Sequence, residues 1–227
     1  MKQILKDLIT GYATKSQSDF KIWLSGLSHN KLKDAACGLL TMYFNDLNSS
    51  ALREYVTTIK SGFTPDMEKL GYNGYRDTYP SGKLFCETKP QNIRTISNRK
   101  TKPKLSGSGS FNDFTWNKLS RHKKDNPTIL ASGFIDGRLI YIFRFAFNSQ
   151  GLIKKIEKQL LRQFPERQDI SSRYLRSASL SFTHYKDDTS LETECFVNIE
   201  ELDSFYQRKW ITKKVYEHLQ SFLPCPG

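Results

Sequence analysis

Two carboxylates and one lysine lie close together in residues 75–91, where the sequence reads YRDTYPSGKLFCETKPQ. A Pro-Ser-Gly turn signal separates two strand-like runs, so we predict a hairpin with Asp77 on its first strand and Glu87 and Lys89 on its second. Residues two apart on a strand point to the same face, so Glu87 and Lys89 should project together. The turn is expected to fold Asp77 back towards them.

Such a group of side chains has a recognisable chemistry. Two carboxylates that converge from adjacent strands form an oxygen site suited to Mg²⁺, which usually keeps several waters and takes further ligands from phosphate. A lysine beside the ion can orient or help to deprotonate an attacking water, and it can stabilise charge on the phosphorus oxygens. The alternative is an exposed hairpin with a cross-strand ion pair, which contributes under about 1 kcal/mol.

The charge of the chain favours the first alternative. Net charge is +12 over 227 residues, and such an excess indicates a polyanionic partner, either nucleic acid or an anionic membrane surface. Residues 83–124 hold eleven Lys or Arg against two acidic residues, which gives +9 in 42 residues. The basic stretch from Arg94 to Lys104 is predicted to lie along a phosphate backbone and to bind through counterion release. An asparagine that follows it, Asn112, can pair with adenine. The residues expected to contact DNA are Arg94, Arg99, Lys100, Lys102, Lys104, Asn112, Lys118 and Arg121.

Hydrophobic periodicity and turn signals predict an α/β (α+β) fold, with a central mixed β-sheet flanked by helices. We expect a single domain over 1–227, with a helical N-terminal segment (residues 1–62), a catalytic core (63–165), and C-terminal strands and a helix in 166–227. An Asp-Gly pair at 136–137 marks a second hairpin. The predicted helices cover 2–9, 28–47 (capped by Ser28), 49–61, 111–125 (with Asp113 as cap), 149–165 and 212–223. The predicted strands cover 83–89, 128–135, 139–147, 178–185 and 194–199, and the last two are expected to form a third hairpin.

Asp77 is followed, after nine intervening residues, by the triplet Glu87-Thr88-Lys89. This pattern resembles the motif of the PD-(D/E)xK nuclease superfamily, which includes the type II restriction endonucleases. The resemblance covers roughly residues 50–165 and implies a restriction-endonuclease-like core behind N-terminal helices. It also implies Mg²⁺-dependent hydrolysis of DNA phosphodiester bonds. By position, Asp77 and Glu87 would bind the metal and Lys89 would serve the nucleophilic water.

The resemblance leaves two assignments open. Asp77 follows an arginine, whereas a literal Pro-Asp pair ends at Asp66, so Asp66 remains the alternative first ligand. Members of the superfamily often add a glutamate from the preceding helix, and Glu54 and Glu68 are the two candidates for this third metal ligand.

A type II restriction enzyme that cuts double-stranded DNA at a specific site is the leading prediction. A palindromic cut is most simply made by two identical sites, so a homodimer is expected, and the resemblance implies a partner methyltransferase. The alternative is a non-enzymatic DNA-binding protein in which helices 28–47 and 49–61 form a helix-turn-helix. No apolar run approaches the roughly 18 residues of a membrane span and the N-terminus lacks a secretory pattern, so we expect a cytoplasmic protein without membrane contact.

Overall fold

The computed structural model of the protein divides into a helical unit, Met1–Ser50, and a mixed α/β unit, Ala51–Gly227. The expectation of a single domain over 1–227 stays a prediction. No helix among the described residues is long and apolar enough to cross a membrane. The described residues are 3–14, 17–45, 50–66, 71–78, 80, 82–95, 103–170 and 173–223.

The helical unit contains α1 (Gln3–Thr14), α2 (Gln17–Ser25) and α3 (His29–Asn45). The hydroxyl of Ser28 accepts a hydrogen bond from the Lys31 main-chain N–H at 3.4 Å, so Ser28 caps α3 as predicted. The helix-turn-helix alternative needs α3 and the next helix together, and these two helices belong to different units. That alternative stays untested.

The mixed unit confirms the predicted fold class. Its described residues form helices, a mixed sheet of six strands and a second sheet of two strands. A short 3-10 turn follows the seventh strand at Phe182–His184. The elements are α4 (Ala51–Lys60), β1 (Thr64–Pro65), β2 (Gly74–Thr78), β3 (Gly82–Ile93), β4 (Gly109–Phe114), α5 (Trp116–Asp125), β5 (Thr128–Ile135), β6 (Arg138–Ala146), α6 (Gln150–Gln163), β7 (Leu175–Leu180), β8 (Glu192–Cys195), α7 (Ile199–Gln207) and α8 (Lys213–Gln220).

The large sheet has the strand order β1-β2-β3-β5-β6-β8. β3 and β5 are parallel, and every other neighbouring pair is antiparallel. The connection between the two parallel strands contains β4 and α5, because a parallel pair needs a long crossover. The prediction of a hairpin at Asp136-Gly137 is confirmed, since both residues have positive φ (47° and 82°) between β5 and β6.

Two predictions about the smaller elements are wrong. The strand-like runs 178–185 and 194–199 do not form a hairpin, because β7 pairs with β4 and β8 pairs with β6. The alternating sequence pattern of a strand indicates which of its side chains are buried, but it does not indicate which other strand pairs with it.

The predicted helix 111–125 also begins too early, because residues 111–114 belong to strand β4, in which Phe111, Asn112 and Phe114 pair with β7. The α5 cap is Thr115, whose hydroxyl accepts from Lys118 N at 3.1 Å. Asp113 is therefore not the cap and lies within β4 at φ 50°. Pairing with β7 decides the extended conformation of the other three residues, as tertiary contacts often do in strands.

The two faces of the large sheet are packed differently. On one face, the Thr57 hydroxyl of α4 bonds the Ser132 hydroxyl of β5 at 2.7 Å in a buried contact. A small apolar cluster that includes Cys86 of β3 lies on this side. The opposite face carries the main core, to which α6 contributes Leu152, Ile156 and Leu160. Because side chains alternate along β3, residues 87 and 89 face the main-core side, next to β4 and α5.

Candidate active site

Glu87 and Lys89 form a close ion pair on β3, which confirms that they project together. Lys89 Nζ donates to Glu87 Oε1 at 2.6 Å, and the side chains of Lys89 and Glu87 are 12% and 16% exposed, respectively. The same Nζ lies 4.6 Å from the centroid of the Phe111 ring on β4. The ammonium group is thus held by a carboxylate on one side and by an aromatic face on the other.

A glycine in β4 makes room for this lysine. A Cβ on Gly109 would lie 2.6 Å from Lys89 Cβ, closer than real side chains approach each other. The loose Ser-Gly-Ser-Gly-Ser run of the sequence therefore includes one position where the absence of a side chain lets β4 pass over the ion pair.

Asp77 lies away from this ion pair. It opposes Lys83 in the β2–β3 register, and Thr78 opposes Gly82. Glu87 is four residues further along β3, which is about 13 Å at the usual strand rise. Paired residues of a hairpin lie equally far from the turn, whereas Asp77 is three residues before position 80 and Glu87 is seven after it. The predicted convergence of Asp77 with Glu87 is therefore wrong.

The residue that faces Glu87 by extension of the same register is Asn73, which the sequence reasoning missed. Its main-chain N–H donates to Cys86 O at 3.0 Å, and its Oδ1 accepts from Thr88 N at 2.8 Å. Its Nδ2 donates to Glu54 Oε2 at 3.1 Å. Counting seven residues back from the centre of the turn would have identified Asn73 in the sequence.

The two other acidic candidates have different positions. Glu54, in the first turn of α4, is joined through the Asn73 amide to the strand that carries Glu87. Asp66 is exposed after β1, and its main-chain N–H donates to Asn73 O at 2.9 Å. Glu68 lies outside the described residues.

A cleft of about 610 Å³ opens over the ion pair. Three of the residues predicted to contact DNA line it, namely Asn112 of β4 and Lys118 and Arg121 of α5. Of the others, Arg94 and Lys104 are exposed outside the cleft, and Arg99, Lys100 and Lys102 lie outside the described residues. Among the described residues, the lining is Gly71, Glu87, Lys89, Phe111, Asn112, Phe114, Lys118, Arg121 and His122.

Tyr72 ties the segment before β2 to α5. Its hydroxyl donates to Asp125 Oδ2 at 2.9 Å, and its ring stacks on Phe85 with centroids 5.0 Å apart. Burial raises the pKa of Tyr72 well above its ordinary value, and the hydrogen bond to Asp125 adds to the effect. Tyr72 lies between Gly71, which lines the cleft, and Asn73. This contact therefore holds residues 71–73 against α5.

The acidic side chains at and near the cleft are the possible ligands of the magnesium ion that the resemblance implies. No group of three His, Cys, Asp or Glu residues among the described part of the chain is arranged to hold a metal. Glu87 lines the cleft, and Glu54 is linked to its strand through the amide of Asn73. Mg²⁺ typically takes one or two carboxylates and completes its shell with water and substrate phosphate, so Glu87 fits one ligand position of an ion that binds in the cleft together with a phosphate.

Comparisons with known proteins add no assignment. No protein-family model matches the chain, and searches of curated proteins and of solved structures find no significant match. The nuclease hypothesis therefore depends on the residues and contacts described above.

Proposed function

We propose that the chain is a Mg²⁺-dependent DNA endonuclease that hydrolyses phosphodiester bonds. The observation that supports this most directly is the Glu87–Lys89 pair at a cleft that also presents Lys118 and Arg121. A cleft that combines one carboxylate with several cations matches a substrate whose phosphates are anionic and whose reaction develops further negative charge.

Each residue has a role in this proposal. Glu87, with Glu54 held through Asn73, would hold the magnesium ion, whose contribution is to neutralise charge on the phosphate oxygens. The ammonium of Lys89 stabilises the negative charge that builds on the phosphorus oxygens. Lys118 and Arg121 hold the neighbouring phosphates of the strand.

A finer proposal follows from the superfamily resemblance. The enzyme is of the type II restriction kind, acts in the cytoplasm as a homodimer, and cuts double-stranded DNA at a specific site. Sequencing the ends of the digestion products tests site specificity, and the mass of the protein in solution tests the dimer. Ends scattered over many sequences would contradict the restriction assignment and leave a less specific nuclease.

The central experiment compares two acidic residues of one hairpin. Plasmid DNA is incubated with the wild-type chain, Glu87→Gln or Asp77→Asn, in Mg²⁺, Ca²⁺ or EDTA. We expect Mg²⁺-dependent cleavage that Glu87→Gln lowers by about 10²-fold or more and that Asp77→Asn leaves nearly unchanged. Asp77 is the matched control because it is an exposed carboxylate on the partner strand.

Other outcomes have distinct meanings. Loss of cleavage in Asp77→Asn with retention in Glu87→Gln would refute the site described here. Retarded but intact DNA under every condition would support the non-enzymatic DNA-binding alternative, which the net charge of +12 favours on its own.

A further inference from the structure

The environment of His122 on α5 is unusual for a buried histidine. The residue is 5% exposed and yet lines the same cleft as Glu87 and Lys89. Its ring is packed among phenyl groups, at centroid distances of 5.9 Å to Phe111, 5.5 Å to Phe114 and 5.0 Å to Phe147. These contacts fix the plane of the imidazole.

The hydrogen bond of the ring assigns its tautomer. Nδ1 of His122 lies 2.8 Å from the main-chain oxygen of Lys118, one helical turn earlier. A carbonyl oxygen only accepts, so Nδ1 carries the proton and the lone pair of the neutral ring is on Nε2. Nε2 is therefore the nitrogen that can accept a proton.

Hydrolysis of a phosphodiester needs such an acceptor for the proton of the attacking water. Lys89 is poorly suited to this task, because an ammonium that donates to Glu87 has no lone pair to offer. We propose that His122 is the general base of the proposed nuclease reaction and takes the proton of the attacking water on Nε2. This inference rests on the proposed function.

In the proposed step, water displaces the leaving sugar oxygen from phosphorus. The water oxygen bonds to phosphorus as the bond from phosphorus to the leaving sugar oxygen breaks, and one water proton passes to Nε2. The leaving oxygen takes a proton from solvent, and the imidazolium then returns its proton to solvent. The products are a phosphomonoester and an alcohol.

The surrounding charges are consistent with a neutral imidazole. Burial lowers the pKa of His122 below its ordinary value, the bond to Lys118 O and the charge of Glu87 oppose this, and the charges of Arg121 and Lys89 reinforce it. Tyr72 contributes a phenol at 5.3 Å between ring centroids, and β4 contributes the phenyl rings of Phe111 and Phe114. Since the basic form is the active one, the rate should fall as pH drops through a pKa below about 6.5 and should be flat above it.

The test uses His122→Gln, which keeps a polar side chain of similar length, and His122→Ala, which leaves space for a small molecule. His184→Gln is the matched control, because burial also lowers the pKa of His184, whose ring bonds Ser181 outside the cleft. We expect His122→Gln to hydrolyse DNA at least about 10²-fold more slowly, with DNA affinity in Ca²⁺ within about twofold of wild type. The acid limb of the pH profile should disappear, and imidazole should restore part of the rate of His122→Ala.

Three results would overturn the proposal. One is a His122→Gln rate close to that of wild type. Another is a loss of rate that is matched by a loss of DNA affinity and is not restored by imidazole. The third is independent of activity: a ¹⁵N NMR spectrum at neutral pH that places the proton of His122 on Nε2. A wild-type chain that cleaves no DNA with any divalent cation would instead refute the proposed function, and the general-base role with it.

Discussion

Asn73 is a neutral amide at a position where charged groups meet. Its side chain joins the Glu54 carboxylate to the main chain of Thr88, between Glu87 and Lys89. A carboxylate at this position could still accept from Thr88 N, but it would have no proton to donate to Glu54. The amide therefore links the Glu54 carboxylate to the strand that carries Glu87 without adding another negative charge.

The Asn73→Asp variant tests this arrangement. Without divalent cations, the new carboxylate repels Glu54, and we expect the free energy of unfolding to fall by about 1–3 kcal/mol. Added Mg²⁺ should raise the thermal midpoint of the variant more than that of wild type, because a third carboxylate strengthens cation binding. Thermal denaturation in EDTA and in Mg²⁺ measures both effects. Asn30→Asp makes the same chemical change at an exposed position and should alter neither quantity appreciably.

An Asn73→Asp variant as stable as wild type in EDTA would show that the amide does not hold Glu54. If Mg²⁺ raised the thermal midpoint of Asn73→Asp and of wild type equally, there would be no cation site at this position, and the assignment of Glu54 as a ligand would lose support.

Sequence spacing predicts part of this site because two-residue periodicity on a strand is a local property. Glu87 and Lys89 follow from it, and the structure places them side by side. Asp77 and Asn73 compete for a position that depends on the hairpin register, and the two-residue alternation gives both of them the same face. Charge alone favours Asp77 for the position opposite Glu87, whereas the hairpin register places Asn73 there.

At the scale of elements, α5 determines the cation side of the cleft, since it carries Lys118, Arg121 and His122. Its first turn is anchored from a distant segment of the chain. The Asp169 carboxylate accepts from Trp116 N at 2.7 Å and from Asn117 N at 2.9 Å. The basic outer face of this region predicts a helix from sequence. It does not predict that the segment after α6 supplies acceptors for the first main-chain N–H groups, because that contact spans over fifty residues.

We expect Asp169→Ala to lower the free energy of unfolding by about 0.5–2 kcal/mol, because two N–H groups at the start of α5 lose their acceptor. DNA affinity should weaken as well, since the same turn orients Lys118. Urea denaturation measures the first effect, and fluorescence anisotropy with labelled duplex in Ca²⁺ measures the second. Glu166→Ala removes an exposed carboxylate from the same connection and serves as the control. An Asp169→Ala variant as stable as this control would show that Thr115 alone is sufficient to cap α5.

At the scale of the whole molecule, the excess of 12 positive charges supports binding to a polyanion, but it does not say where binding occurs. Several surface cations are neutralised locally. Arg138, for example, makes two contacts with the Glu201 carboxylate, at 2.6 and 3.0 Å. Lys118 and Arg121 differ because they line the cleft beside the site. The distribution of uncompensated charge is therefore more informative than the total.

The salt dependence of DNA affinity tests this distinction. Each phosphate neutralised by a Lys or Arg contributes about −0.9 to the slope of log affinity against log salt concentration. The double variant Lys118→Ala/Arg121→Ala should therefore show weaker binding and a slope that is shallower by about 1.8, in titrations between about 50 and 200 mM salt with Ca²⁺ present. Arg138→Ala should leave the slope unchanged, because its charge is already paired with Glu201. An equal change of slope in the double variant and in Arg138→Ala would mean that the chain binds DNA through its overall charge. An unchanged slope in the double variant would place the DNA away from the cleft, and therefore away from the Glu87–Lys89 pair.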